Sequence, residues 1–272
     1  MTSISYPKER AIPSLAPTAT FSPARAEPAA PASSPLWPVV VLTYLLLLPS
    51  ELRIMMGTFV MFPFRLFLIL SLPWVVREFT NGKAKFGLGD LLVCVMIYWI
   101  LFAMIITQGL ERAISNGGSS AVDIGLTYFV GRCCINSMHS MKRYLELVAP
   151  AYFLAGLTVM AECLSGNVFV RPFFSKVFGV SDLLYTGLDG GNFKVENPDS
   201  LVQLRLGLAR GGGPFPHPIL AGLQLASLLP LYIFCPLPMR SRALGIAAAV
   251  FSVGSISSAA FISLFLTIFL IG

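Results

Sequence analysis

Residues 204–222 read LRLGLARGGGPFPHPILAG, and the apolar run continuing from them to Cys235 decides how the chain is organised. The stretch holds Arg205, Arg210, the glycines Gly211–Gly213, the prolines Pro214, Pro216 and Pro218, and His217. Arginine keeps its charge and presents a planar fork suited to phosphate oxygens. Consecutive glycines let backbone amides approach a ligand closely. Pro218 fits the first turn of a helix. Cations and bendable backbone at the mouth of an apolar helix point to a site that meets an anion at a membrane surface. A flexible basic turn touching lipid head groups fits the same residues. His217 is placed either to accept a proton from a hydroxyl or to cap the helix.

The remainder of the chain is equally apolar. Of its 272 residues 56% are hydrophobic and 12% charged, with mean hydropathy +0.77. Soluble domains carry roughly 25% charged residues. Several weakly charged runs approach the roughly 20 residues that cross a hydrocarbon core. The expected fold is therefore all-α, a polytopic transmembrane helical bundle of about seven or eight spans. The net charge of +6 reflects basic residues gathered on one side of a membrane, and nucleic acid is excluded as a partner.

Residues 1–35, rich in Pro, Ala and Ser, read as a disordered cytoplasmic tail. The transmembrane domain, 36–272, then takes up apolar runs at about 36–50, 54–76, 88–107, 119–138, 145–164 and 215–235. The last run, 243–271, is interrupted by GSISS (254–258) and reads as one tilted helix or two short ones. With the N-terminus inside, Arg77, Lys83, Lys85, Lys142, Arg143, Arg240 and Arg242 fall in inner loops, against Arg53 and Arg112 in short outer ones. That asymmetry follows the positive-inside rule. It puts the long loop at 165–212 outside, periplasmic in a Gram-negative cell, and the protein in the inner (plasma) membrane. In that loop RPFFSKVF spaces Phe173, Phe174, Val177 and Phe178 helically around Lys176. It reads as an interfacial helix or as an ordinary packed loop helix. GLDGGN and ENPDS read as turns.

Charges inside spans carry a desolvation cost unless partnered. Arg65, read near the middle of the second run, is either functional or paired with Asp90 or Asp123. At about 100° per residue Asp123 and Arg132 lie on opposite faces of the fourth run, whereas Arg132, Asn136, His139 and Arg143 share one stripe expected to face the bundle. The five cysteines sit within or at the ends of apolar runs and match no zinc spacing. No metal site, cofactor, P-loop, nucleophile elbow or dinucleotide fingerprint is read from the sequence.

The run RGGGPFPHPILAGLQLASLLPLYIF (210–234) resembles the defining segment of the O-antigen ligase and polymerase family of bacterial envelope proteins. GSISSAAFISLFL resembles the serine-glycine stretch of a later span there, and Arg132 at the end of LTYFVGR resembles a further arginine. The similarity covers about residues 54–272. It implies metal-independent, inverting glycosyl transfer at the outer membrane face, from a polyprenyl-diphosphate-linked glycan to an acceptor glycan or lipid. Under it Arg210 binds the diphosphate, His217 orients or deprotonates the acceptor, Arg205 lies nearby, and Arg65 and Arg132 shape the path of the lipid diphosphate. Family members have further spans and a second large outer loop, so the chain is expected to be a truncated product, and as a fragment inactive. The competing expectation is a transporter or flippase of a lipid-linked or anionic solute, using Arg65, Arg132 and the broken last run as its path.

Overall fold

The computed structural model describes residues 35–271, apart from 57–58, 83, 111–112, 179–182, 187–191, 196–203 and 206. The N-terminal tail, the ENPDS turn and nearly all of GLDGGN lie outside the described residues. What is described is mostly helical.

The helices are α1 (Trp37–Leu46), α2 (Pro63–Thr80), α3 (Leu88–Gln108), α4 (Gly118–Cys134), α5 (Met138–Ser165), α6 (Val170–Phe178), α7 (Pro218–Ala226), α8 (Leu228–Phe234), α9 (Met239–Phe251) and α10 (Ser258–Ile271). Two of them, α3 and α5, are long and apolar enough to cross a membrane. Helix α3 starts where the Gly87 N–H meets the Asp90 carboxylate at 2.7 Å, and it stops at Gly109, whose φ is 81°. Leu92, Val95, Tyr98, Trp99, Phe102 and Ile106 leave it bare on nearly all sides. A helix apolar all round needs an apolar surrounding, and protein does not supply it here.

Several runs differ from the sequence reading, each for a local reason. The second does not begin as helix: Ile54–Met56 and Phe59–Met61 pair as an antiparallel hairpin, β1–β2, and α2 starts at Pro63. Arg65 therefore stands in the first turn of α2 rather than mid-span. The fourth run ends at Cys134, because Ser137 caps the next helix through a reciprocal bond with Ser140. The stripe of Arg132, Asn136, His139 and Arg143 is thus divided between two helices, and Asn136, His139 and Arg143 are exposed. The sixth run becomes helix only at Pro218, leaving Phe215–His217 in the preceding loop. The last run is two helices, separated by a 3-10 turn (Ser252–Ser255) and by Ile256 in the left-handed region at φ 45°. Within the long loop, Leu183–Thr186 (β3) pairs with Asn192–Val195 (β4), and Leu204–Arg205 (β5) with Leu208–Ala209 (β6).

The largest core forms where α5 meets α7, α8 and α9: Leu145, Val148, Tyr152 and Val159 pack on Ala221, Leu225, Tyr232 and Ala248. Small residues set the approach. A Cβ on Gly245 would enter the Tyr232 ring, and one on Gly156 would meet the Ala248 backbone at 3.0 Å. The Tyr232 hydroxyl donates to the Leu145 carbonyl at 2.9 Å, so its one polar group is satisfied in the core. A second cluster joins α1, α2 and α4 through Leu42, Leu68, Val75, Val130 and Cys134.

Candidate functional site

The Arg-Gly-Gly-Gly segment is wedged between the last turns of α5 and the break between α9 and α10. Gly211 donates its N–H to the Gly254 carbonyl at 2.9 Å, and a Cβ on Gly211 would collide with the Val159 carbonyl oxygen. Gly213 has φ 56°, with Thr158 Oγ1 and Val159 Cγ2 both 2.8 Å from where a Cβ would sit. Glycine is required at these two positions by space and, at Gly213, by backbone sign. Replacing Gly211 by alanine is expected to cost about 1–3 kcal/mol through overpacking, read as a lower Tm in detergent. Gly131→Ala, where nothing lies within 4 Å, is the matched control and should leave Tm unchanged or raised. Equal Tm values for the two variants would mean that the wedge is absent.

One buried carboxylate holds this wedge. Glu162, 1% exposed near the end of α5, accepts four backbone N–H bonds. Its Oε1 takes those of Phe169 and Val170, both at 3.1 Å, and its Oε2 those of Gly212 at 3.0 Å and Gly213 at 2.7 Å. A single side chain therefore fixes both the entry to α6 and the glycine turn.

The two loop arginines address the helix break. Arg210 Nε donates to the Ser255 carbonyl at 3.1 Å. Arg205 donates through Nη1 to the Ile256 carbonyl at 3.3 Å and through Nη2 to Ser258 Oγ at 2.9 Å. Carbonyls released where a helix ends carry partial negative charge and favour cations. These bonds help offset the left-handed backbone of Ile256, which costs about 1–2 kcal/mol for a non-glycine residue.

His217 is buried and caps α7, its Nδ1 accepting the Ile219 N–H at 3.0 Å. Burial first, and the Arg210 charge second, hold its imidazole below the usual histidine range. The ring is neutral at pH 7, and the cap occupies the lone pair that a general base would use.

Arg171, from the first turn of α6, completes the arrangement. It is 4% exposed, meets Glu51 Oε1 at 2.8 Å and donates to the Pro216 carbonyl at 3.3 Å. Glu51 itself is 0% exposed. A small cavity of about 20 Å³ lies between Val168, Arg171, Arg210, Gly212, Phe215 and Pro218, room for about one water molecule.

Arg205, Arg210 and His217 thus come together, whereas Arg65 and Arg132 stand in other contacts. Arg65 makes a two-point pair with Asp123, Nε–Oδ1 2.9 Å and Nη2–Oδ2 2.6 Å, with Phe62 and Phe64 under its guanidinium. Arg132 reaches Asp90 at 3.7 Å, where α4 ends beside the start of α3, and Asp90 also accepts from the Tyr128 hydroxyl at 2.9 Å. Because α5 runs on from the end of α4, Arg132 sits at the opposite end of α5 from Glu162. Sequence reasoning missed Glu162, Glu51 and Arg171. An acid sixteen residues beyond Glu146, deep in an apolar run, was the available signal for Glu162.

No family model, curated protein or solved structure matches this chain.

Proposed function

We propose that this chain is a multi-pass inner-membrane protein of the O-antigen ligase and polymerase type, transferring glycan from a polyprenyl-diphosphate carrier to an acceptor sugar outside the membrane. The N-terminus is cytoplasmic, about seven or eight segments enter the bilayer, and the loop at 165–212 is external. The observation that carries this reading is the convergence of Arg210, Arg205, Arg171 and His217 around one glycine turn. Arginines fixed before the substrate arrives stabilise the charge that grows on a departing diphosphate. Arg210 takes that role, and His217, its Nδ1 engaged in the helix cap, orients the acceptor. A diphosphate is much larger than the cavity, so binding requires the β5–β6 hairpin to move aside while the Ser255 carbonyl keeps Arg210 in place.

Arg65 and Arg132 serve as structural ion pairs in this reading. The transporter reading draws on the broken α9–α10 segment, since unwound carbonyls coordinate ions in transporters. Here the carbonyls of Gly254, Ser255 and Ile256 are taken by Gly211, Arg210 and Arg205, which favours the glycosyl-transfer reading.

In a strain lacking the gene, complementation with Arg210→Ala should abolish long-chain surface glycan while the protein accumulates in the membrane. Arg210→Lys, which keeps the charge and loses the fork, should restore part of it. Unchanged glycan lengths with Arg210→Ala would overturn the reading.

A further inference from the structure

We infer that α6 lies flat in the head-group layer of the bilayer and anchors the Arg-Gly-Gly-Gly mouth at that depth. The inference rests on the membrane part of the reading above, not on glycosyl transfer. The length of α5 supplies the first argument. Its 28 residues extend about 42 Å at 1.5 Å per residue, against a hydrocarbon core of roughly 30 Å. With Lys142 and Arg143 at the inner head groups, about 20 residues of span bring the last turn, with Glu162, to the outer boundary. Only Gly166–Phe169 separate α5 from α6, and Glu162 Oε1 holds the Phe169 and Val170 amides. The start of α6 is thereby kept within one side-chain length of that level.

The composition of α6 supplies the second. Val170 and Arg171 are buried, whereas Phe173, Val177 and Phe178 are 61%, 58% and 47% exposed. Phe174 joins the apolar face, its ring against Phe173 edge-on at 5.4 Å and stacked on Phe178 at 6.0 Å. Lys176 is exposed beside them, as expected of a side chain that extends to the head groups. Exposed apolar residues also run along the chain from α5 into α6, through Leu157, Leu164 and Phe169. That continuity with the apolar flank of a membrane-length helix makes lipid, rather than a partner protein, the occupant of this face. Arg171 in the buried first turn of α6 then ties lipid depth to the Pro216 carbonyl beside His217.

Depth-resolved quenching tests this. Two full-length single-tryptophan chains are reconstituted in phosphatidylcholine nanodiscs containing lipids brominated at shallow or deep acyl positions. One keeps Trp99 alone, with Trp37 and Trp74 changed to Phe. The other carries Phe178→Trp with all three native tryptophans changed to Phe, and Phe173→Trp replaces it if that chain does not elute as a single species. Trp99, midway along α3, should be quenched most by deep bromines, and position 178 most by shallow ones, several-fold above its response to deep ones. Quenching of Trp99 with none at 178 would sink the inference alone, whether 178 is open to aqueous acrylamide or covered by protein. Deepest quenching at 178 would also sink it. Failure of Trp99 to respond would overturn the membrane reading itself.

Discussion

Glu162→Ala is expected to be among the most damaging single substitutions in the chain, with a loss on the order of 4 kcal/mol from buried amides left without an acceptor at about 1–3 kcal/mol each. Water will reach some of the four amides, which is why the figure is below their sum. The loss should appear as a large drop in Tm in detergent and as new protease cleavage at 204–213, because the glycine turn has no other side-chain acceptor among the described contacts. Glu162→Gln separates the two halves of the latch. A glutamine has one oxygen and one NH2 in place of the two carboxylate oxygens. It can keep the Phe169 and Val170 amides or the Gly212 and Gly213 amides, but not both pairs, since its NH2 would face two donors. Its Tm should fall between those of wild type and Glu162→Ala. A Tm for Glu162→Ala equal to wild type would show that the latch is not made.

The position of Glu162 explains why this site was only partly legible. One apolar run without an internal break was read almost to the residue: 88–107 is α3, Leu88–Gln108; the run at 145–164 gave the end of α5 and missed its first two turns, which begin at Met138. Where a run contains a break, hydropathy alone misleads, because strand, turn and helix are equally apolar in IMMGTFVMFPF or FSVGSISSAAF. The hairpin at 54–61 and the 3-10 turn at Ser252–Ser255 were hidden in this way. Ser137 and Ser140 gave a cap signal that a window average passes over, and the polar stripe through Arg132 and Arg143 was extended across that helix end as a result.

Local chemistry fared better than tertiary pairing. The glycine, arginine and histidine cluster was visible as one stretch because its members are neighbours in sequence. Asp123 is one of the two acids the sequence offers Arg65, since a span charge must find an opposite one. The Glu51–Arg171 pair joins residues 120 positions apart, and Glu162 reaches Gly212 over 50. No periodicity encodes such contacts, which arise only once α5 and the loops beside it are packed.

The Glu51–Arg171 pair should behave in a double-mutant cycle as a buried, strongly coupled ion pair. Both side chains are nearly inaccessible, 0% and 5% exposed, so neither charge is solvated once its partner is gone. Losing either should cost about 3–5 kcal/mol, whereas replacing both by apolar residues of similar volume is often close to neutral. The two single losses should not be equal. Glu51→Leu leaves Arg171 its bond to the Pro216 carbonyl, while Arg171→Met leaves Glu51, among the described residues, with the 3.4 Å contact from Ser50 Oγ and an Oε2 that has no hydrogen-bond partner there. Arg171→Met should therefore lower Tm more than Glu51→Leu, and the double variant should recover most of the loss. Because the described tie from α6 to Pro216 is Arg171, the double variant should regain stability without restoring that tether. Cleavage near 214–217 should then stay elevated while Tm returns towards wild type. Additive losses in the cycle would show that the two charges do not meet.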